Sequence, residues 1–184
     1  YKAVESAYSR YFIQVWGADE STGSVMMITS MLVAMVAFLP IGWISGKLGR
    51  KRVVIGGVVL MAAAFAFGFT LKSSSFLGYV VMALIGIGWA AINVNSYPMV
   101  VEMSLGSDIG KYTGYYYTFS MAAQVITPIL SGYLFEHTPF GYRILFPYAV
   151  VFSLLALCTM LMVRHGDSKP EKKSTVLEHF DAGD

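Results

Sequence analysis

Apolar residues run along this chain in long uninterrupted blocks: residues 25–46, 53–71, 76–101, 112–135 and 144–163 contain no Asp, Glu, Lys or Arg. The blocks are 22, 19, 26, 24 and 20 residues long. A bilayer core about 30 Å thick is crossed by roughly 20 apolar residues rising about 1.5 Å each, whereas helices of soluble domains seldom stay uncharged for that length. In lipid every backbone N–H and C=O must be satisfied within a helix or a closed barrel. Barrel strands span about ten residues with alternating polarity, so the blocks predict helices. Tyr8, Tyr11, Phe12, Val15 and Trp16 add a cluster at helical spacing ahead of Gly17-Ala18-Asp19-Glu20, which reads as most of a further membrane helix.

The expected fold is an all-α membrane protein of six transmembrane helices, over about 1–17, 24–47, 52–71, 76–102, 111–136 and 142–164. Residues 1–164 form one bundle, followed by a polar tail over 165–184 with room for a short helix at 176–180. Composition fits this class, since 56% of residues are hydrophobic, 13% are charged and the mean hydropathy is +0.61. Ordinary soluble chains carry about 25% charge.

The net charge of +2 matters less than its placement. Assigning connections alternately to two sides puts Lys47, Arg50, Lys51, Arg52, Lys111, Arg164, Lys169, Lys172 and Lys173 on one side and only Lys72 and Arg143 on the other, with Lys2 and Arg10 set aside. Basic connections stay in the cytoplasm, so the carboxyl terminus is expected there and the protein in the cell membrane. Lysines and arginines of the tail could also meet anionic lipid. The first residues lack a basic segment followed by an apolar core of 7 to 15 residues, as a signal peptide requires. The chain therefore reads as a piece that begins inside a larger protein. The single cysteine, Cys158, lies in the last apolar block and is expected as buried filler.

Pro40, Pro98 and Pro128 interrupt apolar blocks and bend their helices, a defect that neighbours or a wet cavity can absorb. Gly42 with Gly46, Ala64 with Gly68, and Gly110 with Gly114 have the spacing that lets helices approach closely. In the fifth helix Thr113, Tyr117, Ser120, Gln124, Thr127 and Ser131 alternate at steps of four and three, which aligns them on one face. A polar stripe is costly against lipid, so it must face other helices or water, as a packing seam or as a cavity wall. In the fourth helix Asn93 aligns with Trp89 and with Ser96 or Tyr97, while Asn95 points elsewhere. Trp89, Asn93, Tyr97, Tyr117, Ser120 and Gln124 are the candidate solute contacts, with Tyr115 and Tyr116 adding aromatic surface nearby. Ionisable groups at membrane depth are functional candidates. Glu5 and Arg10 qualify, five residues apart and too far around the helix to pair, while Glu102, Asp108 and Lys111 lie at the basic edge.

The connection between the second and third helices reads Gly42-Trp43-Ile44-Ser45-Gly46-Lys47-Leu48-Gly49-Arg50-Lys51-Arg52. It resembles the loop motif of the major facilitator superfamily: glycine, three residues, aspartate, arginine, any residue, glycine, arginine, then arginine or lysine. Gly42, Gly49, Arg50 and Lys51 match, Lys47 replaces the arginine, and Gly46 stands where the family has an acid. The resemblance implies half of a twelve-helix fold, helices seven to twelve, with the loop coupling helix ends at a cytoplasmic gate. Asn93 to Pro98, Ser131 to Leu134, Tyr11-Phe12 and Val15-Trp16-Gly17 look like the sucrose-proton and glycoside-pentoside-hexuronide symporter branches. That would imply a sugar or glycoside carried with a proton or another cation, by alternating access along a path lined by the first, second, fourth and fifth helices.

An exporter of drugs or organic anions from the same family, or a channel-like protein without transport, are the alternatives. An enzyme would need a nucleophile with a base, or metal ligands, deep in the bilayer, but His137, His165 and His179 all fall outside the apolar blocks. The expected partners are a small-molecule substrate, membrane lipid and the missing amino-terminal six-helix half, with no nucleic acid. No cofactor is expected beyond a coupling proton or other cation.

Overall fold

The computed structural model describes residues 1–73, 75–102 and 108–163, so the expected tail and its short helix lie outside the described residues. Among the described residues six α-helices follow in order: α1 Lys2–Trp16, α2 Glu20–Leu48, α3 Arg50–Thr70, α4 Phe76–Glu102, α5 Ile109–His137 and α6 Leu145–Met162. A 3₁₀ turn, Gly141–Ile144, leads into α6. α2 to α6 are each long and apolar enough to cross a membrane, α6 together with its 3₁₀ turn. The predicted bounds hold to within a few residues. The largest difference is the start of α2, which lies four residues earlier because Asp19 is its N-cap and the hydroxyls of Ser21 and Thr22 donate to its carboxylate. Those hydroxyl bonds, the main cause, hold the Asp19 carboxyl at about 2, below its ordinary 3.8.

One end of the bundle carries the Gly49 turn and Lys47, Arg50, Lys51 and Arg52; it is the basic end. α1, only 15 residues long, is nevertheless well enclosed, with Val4, Tyr8, Tyr11, Phe12 and Trp16 all buried. The aromatic core forms at its far end from the N-terminus. Tyr11 meets Phe146 edge-on with centroids 4.5 Å apart, Phe12 stacks on Trp16 at 5.0 Å, and the Trp16 indole donates to the Leu71 carbonyl at 3.1 Å.

α4 is the spine, packed along α2 on one flank and α3 on the other. Glycine makes this approach possible. A Cβ on Gly86 would lie 2.3 Å from the Ser30 carbonyl oxygen, and one on Gly88 would lie 2.8 Å from the Gly57 carbonyl oxygen and 2.4 Å from Met61 Cγ. The close contacts are therefore between different helices, Gly88 against Gly57 and Gly86 against the Ser30 backbone, as small residues permit in lipid. Of the pairs expected from spacing, only Gly68 is tight, with Phe146 and Val81 atoms 3.1 to 3.2 Å from its virtual Cβ; Gly46, Gly110 and Gly114 face open space. Cys158 also departs from expectation, since it is exposed on α6 rather than buried. α5 is bound least tightly, with most of its length uncovered in this chain.

Candidate functional site

A cavity of about 410 Å³ lies halfway along the helices. Trp89, Ile92, Asn93 and Ser96 of α4 form one side, and Tyr116, Ser120, Ala123, Gln124 and Thr127 of α5 face them. Trp89 stands at the middle of α4, and Gln124 near the middle of α5, so the polar groups converge at mid-depth. The start of α1 reaches the same level, because the Tyr1 ring stacks on Trp89 with centroids 5.2 Å apart. Volumes of about 300–1,000 Å³ with few placed polar groups are usual for small-molecule sites.

Four of the six predicted contacts, Trp89, Asn93, Ser120 and Gln124, come together here. Helical spacing does this on each element, since Trp89 and Asn93 are one turn apart, as are Ser120 and Gln124. The Asn93 amide donates to the Trp89 carbonyl at 3.0 Å and the Gln124 amide to Ser120 Oγ at 3.4 Å. Asn95 is buried on a different face and donates to the Ala91 carbonyl at 2.7 Å.

Tyr97 and Tyr117 do not line the cavity. They sit toward the basic end in an aromatic cluster with Tyr116, with centroid separations of 5.4 to 5.9 Å. Tyr97 also reaches Thr113, hydroxyl to hydroxyl, at 3.4 Å. The polar stripe of α5 is thus divided: Ser120, Gln124 and Thr127 face the cavity, Thr113 and Tyr117 join the tyrosine cluster, and Ser131 is buried and donates to the Pro128 carbonyl at 3.1 Å. A second, shallow groove at the basic end of α5 is lined by Val100, Tyr112, Tyr115, Phe119, Tyr116 and Ser120. Tyr116 and Ser120 therefore belong to both spaces.

α2, which packs on α4, contributes no residue to this cavity; α3 and α6 close it. Val58, Met61 and Phe65 come from α3, and Tyr148, Phe152 and Ser153 from α6. Those apolar residues carried no signal in sequence, since an apolar residue facing a cavity reads like one facing lipid.

Among the described residues Lys2 is the one charged side chain of the cavity lining, and its ammonium lies 2.7 Å from Glu5 Oε2. An ionisable residue at membrane depth three positions from an acid was the signal for it. Arg10 faces elsewhere, donating to the Tyr142 hydroxyl at 2.9 Å near the end opposite the basic one. Glu5 and Arg10 are thus separate, as their spacing predicted.

At the basic end Arg50 pairs with Glu102, tying the start of α3 to the end of α4. Lys51 donates to the Val163 carbonyl at 2.6 Å and to that of Leu161 at 3.3 Å, so a cation meets the carbonyl end of α6, where the helix dipole favours it. Gly49 turns the chain between them at φ 92, a conformation open to glycine. Gly42 lies farther up α2, where an added Cβ would find Val94 Cγ1 at 3.9 Å. The described residues hold no group of three or more His, Cys, Asp or Glu able to bind a metal.

Comparison with known proteins gives a consistent picture. The family model described as Major Facilitator Superfamily matches residues 3–181. The chain is 26% identical over 183 residues to dipeptide and tripeptide permease A of Edwardsiella piscicida, which covers 93% of this chain and 36% of the permease. It is 26% identical over 147 residues to the uncharacterized MFS-type transporter YfkL of Bacillus subtilis, covering 79% of this chain and 37% of that protein. The chain thus spans about a third of the length of these relatives. The crystal structure of tetrameric PepTSo2 matches 99% of this chain and 42% of its own at a TM-score of 0.72 and 16% identity, a likeness of fold.

Proposed function

The chain belongs to the Major Facilitator Superfamily, and from that premise we propose that it is the carboxyl-terminal six-helix half of a secondary transporter that moves a small polar solute by cation-coupled alternating access. The observation that carries this reading is the meeting of Trp89, Asn93, Ser120 and Gln124 in one cavity midway along their helices. Transporters of this architecture hold their solute near the bilayer midplane, between repeats that rock around it. Hydroxyls and amides beside the exposed part of a tryptophan suit a sugar or glycoside, whose hydroxyls take hydrogen bonds while its apolar face lies on the ring.

Coupling is assigned to Glu5. Protonation would discharge its carboxylate and release Lys2, the charged side chain of the cavity wall, so one proton changes the field inside the site. The Arg50–Glu102 pair and the Lys51 cap, around Gly49, fasten the ends of α3, α4 and α6 on the side that gates. The excess of basic connections supports assigning that side to the cytoplasm of a cell-membrane protein. The amino-terminal six helices complete the pathway as partner.

A second reading, a short peptide as the solute, is favoured by the Lys2–Glu5 pair, whose opposite charges could receive the two termini of a zwitterion. The name of the Edwardsiella permease agrees with it. Uptake of labelled glycosides and of labelled dipeptides into vesicles holding the complete protein, with and without a proton gradient, tests both. Gradient-dependent uptake of one class selects the reading; none for either class removes symport.

A further inference from the structure

The two sides of the mid-depth cavity differ in chemistry. Toward α4 and α5 stand Asn93, Ser96, Ser120 and Gln124, all able to hydrogen-bond a ligand. Toward α3 and α6 the wall is apolar at Val58, Met61, Phe65 and Phe152, with Ala156 leaving space beside them and the Ser153 hydroxyl as a polar exception. α5 and α6 are not packed together along their length, so the cleft between Gln124 and Phe152 stays open. The Phe152 ring lies tilted against Tyr148, centroids 4.5 Å apart, and lines the space. Tyr148 adds a buried hydroxyl with no hydrogen-bond partner among the described residues.

A fully hydrophilic solute, such as a free hexose, would lose water from the side facing Val58, Met61 and Phe152, where the hydroxyls of Ser153 and Tyr148 are the polar groups at hand to replace it, and polar groups left unpaired there carry a penalty. A solute with one hydrogen-bonding end and one apolar end meets complementary surface on both sides. We infer that the ligand of this cavity is amphipathic: a hydroxyl- or amide-bearing head held by α4 and α5, carrying an aryl or alkyl group of about phenyl size that lies against α3 and α6. This rests on the reading of the cavity as a solute site and narrows the solute class within it. Aryl glycosides are preferred over free sugars, and peptides with an apolar side chain over diglycine.

The test is calorimetric binding to the complete protein, in parallel with vesicle uptake, using two matched pairs: glucose with phenyl glucoside, and diglycine with phenylalanyl-glycine. Within at least one pair the phenyl-bearing member should bind roughly 10-fold tighter or more, as filling an apolar pocket does. Phe152→Asn should bring that ratio toward one. Ala156→Phe, which fills the same space without adding polarity, should do so too, covering the case in which the first variant fails to fold. Gln124→Ala should weaken both members and keep the ratio. Equal binding within both pairs, binding of no probe, or a ratio unmoved by Phe152→Asn and Ala156→Phe would overturn the inference. A preserved preference in binding with no uptake would leave it standing and remove the transporter reading instead.

Discussion

Tyr116 reaches across from α5 to Ser96 of α4, hydroxyl to hydroxyl at 3.3 Å, and its ring is shared by the mid-depth cavity and the shallow groove at the basic end. The contact is long for an O–H···O bond, so the ring rather than the hydroxyl should keep the two spaces apart. In a Cys158→Ser background carrying Thr127→Cys, which lines the mid-depth cavity and not the groove, adding Tyr116→Ala should speed labelling by a water-soluble thiol reagent applied from the basic side several-fold. Tyr116→Phe should leave the rate within about two-fold, since it forfeits only a weak hydrogen bond. Equal rates in all three proteins would show that Tyr116 is no partition.

Helix packing around α4 gives a sharper contrast. Gly86→Ala and Gly88→Ala each drive a methyl group into backbone or Met61 atoms of a neighbouring helix and should lower stability by about 1–3 kcal/mol, the usual cost of overpacking. Gly114→Ala meets open space on α5 and should be neutral or stabilising by up to about 1 kcal/mol, because alanine favours the helix. Thermal melts in detergent separate the two outcomes, and a similar loss from all three would contradict the packing described.

The ion pair of Arg50 and Glu102 is about a third exposed, with side-chain exposures of 30% and 28%. Solvent screening limits such a pair to roughly 0.2–1 kcal/mol. A double-mutant cycle with Arg50→Gln and Glu102→Gln should return a coupling of that size, diminishing in high salt. The effect on transport rate should exceed the effect on stability if the pair fastens a moving end. Zero coupling in low salt would show that the two ends of α3 and α4 are held by other contacts.

Asp19 sets a pH dependence. Its carboxyl is held at about 2 in the folded protein by the Ser21 and Thr22 hydroxyls, against an ordinary 3.8, so the folded state binds its proton less readily than the unfolded state. The stabilisation is therefore complete above about pH 4 and is lost as pH falls toward 2. Asp19→Asn should flatten that part of the acid limb in a stability profile. An unchanged limb would indicate that the carboxylate gains nothing on folding.

Much of the fold was legible in the sequence. Charge-free runs locate the five long helices because lipid admits no unpaired charge, and the aromatic cluster from Tyr8 to Trp16 marks α1 by the same periodicity that buries it. The start of α2 was misplaced because Asp19, Ser21 and Thr22 look like loop residues until they are seen capping a helix. Within the site, α4 was readable: Trp89 and Asn93 differ from their apolar surroundings and are one turn apart. Polar spacing on α5 put Tyr117 with Gln124, yet the helix diverges from its neighbours and divides the stripe. The contributions of α3 and α6 were hidden, since Val58 and Phe152 are as apolar as any lipid-facing residue. The contact of Gly57 with Gly88 was hidden too, because the motif sought pairs within one helix, and the close approach is between two.

The most direct test is initial-rate transport by the complete protein carrying Asn93→Ala or Gln124→Ala, compared with Leu155→Ala on the exposed face of α6. Each amide loss should raise KM for the transported solute roughly 2- to 10-fold, the worth of about one hydrogen bond, while Leu155→Ala transports as the parent does. Parental kinetics in both amide variants would contradict the assignment of this mid-depth cavity as the solute site.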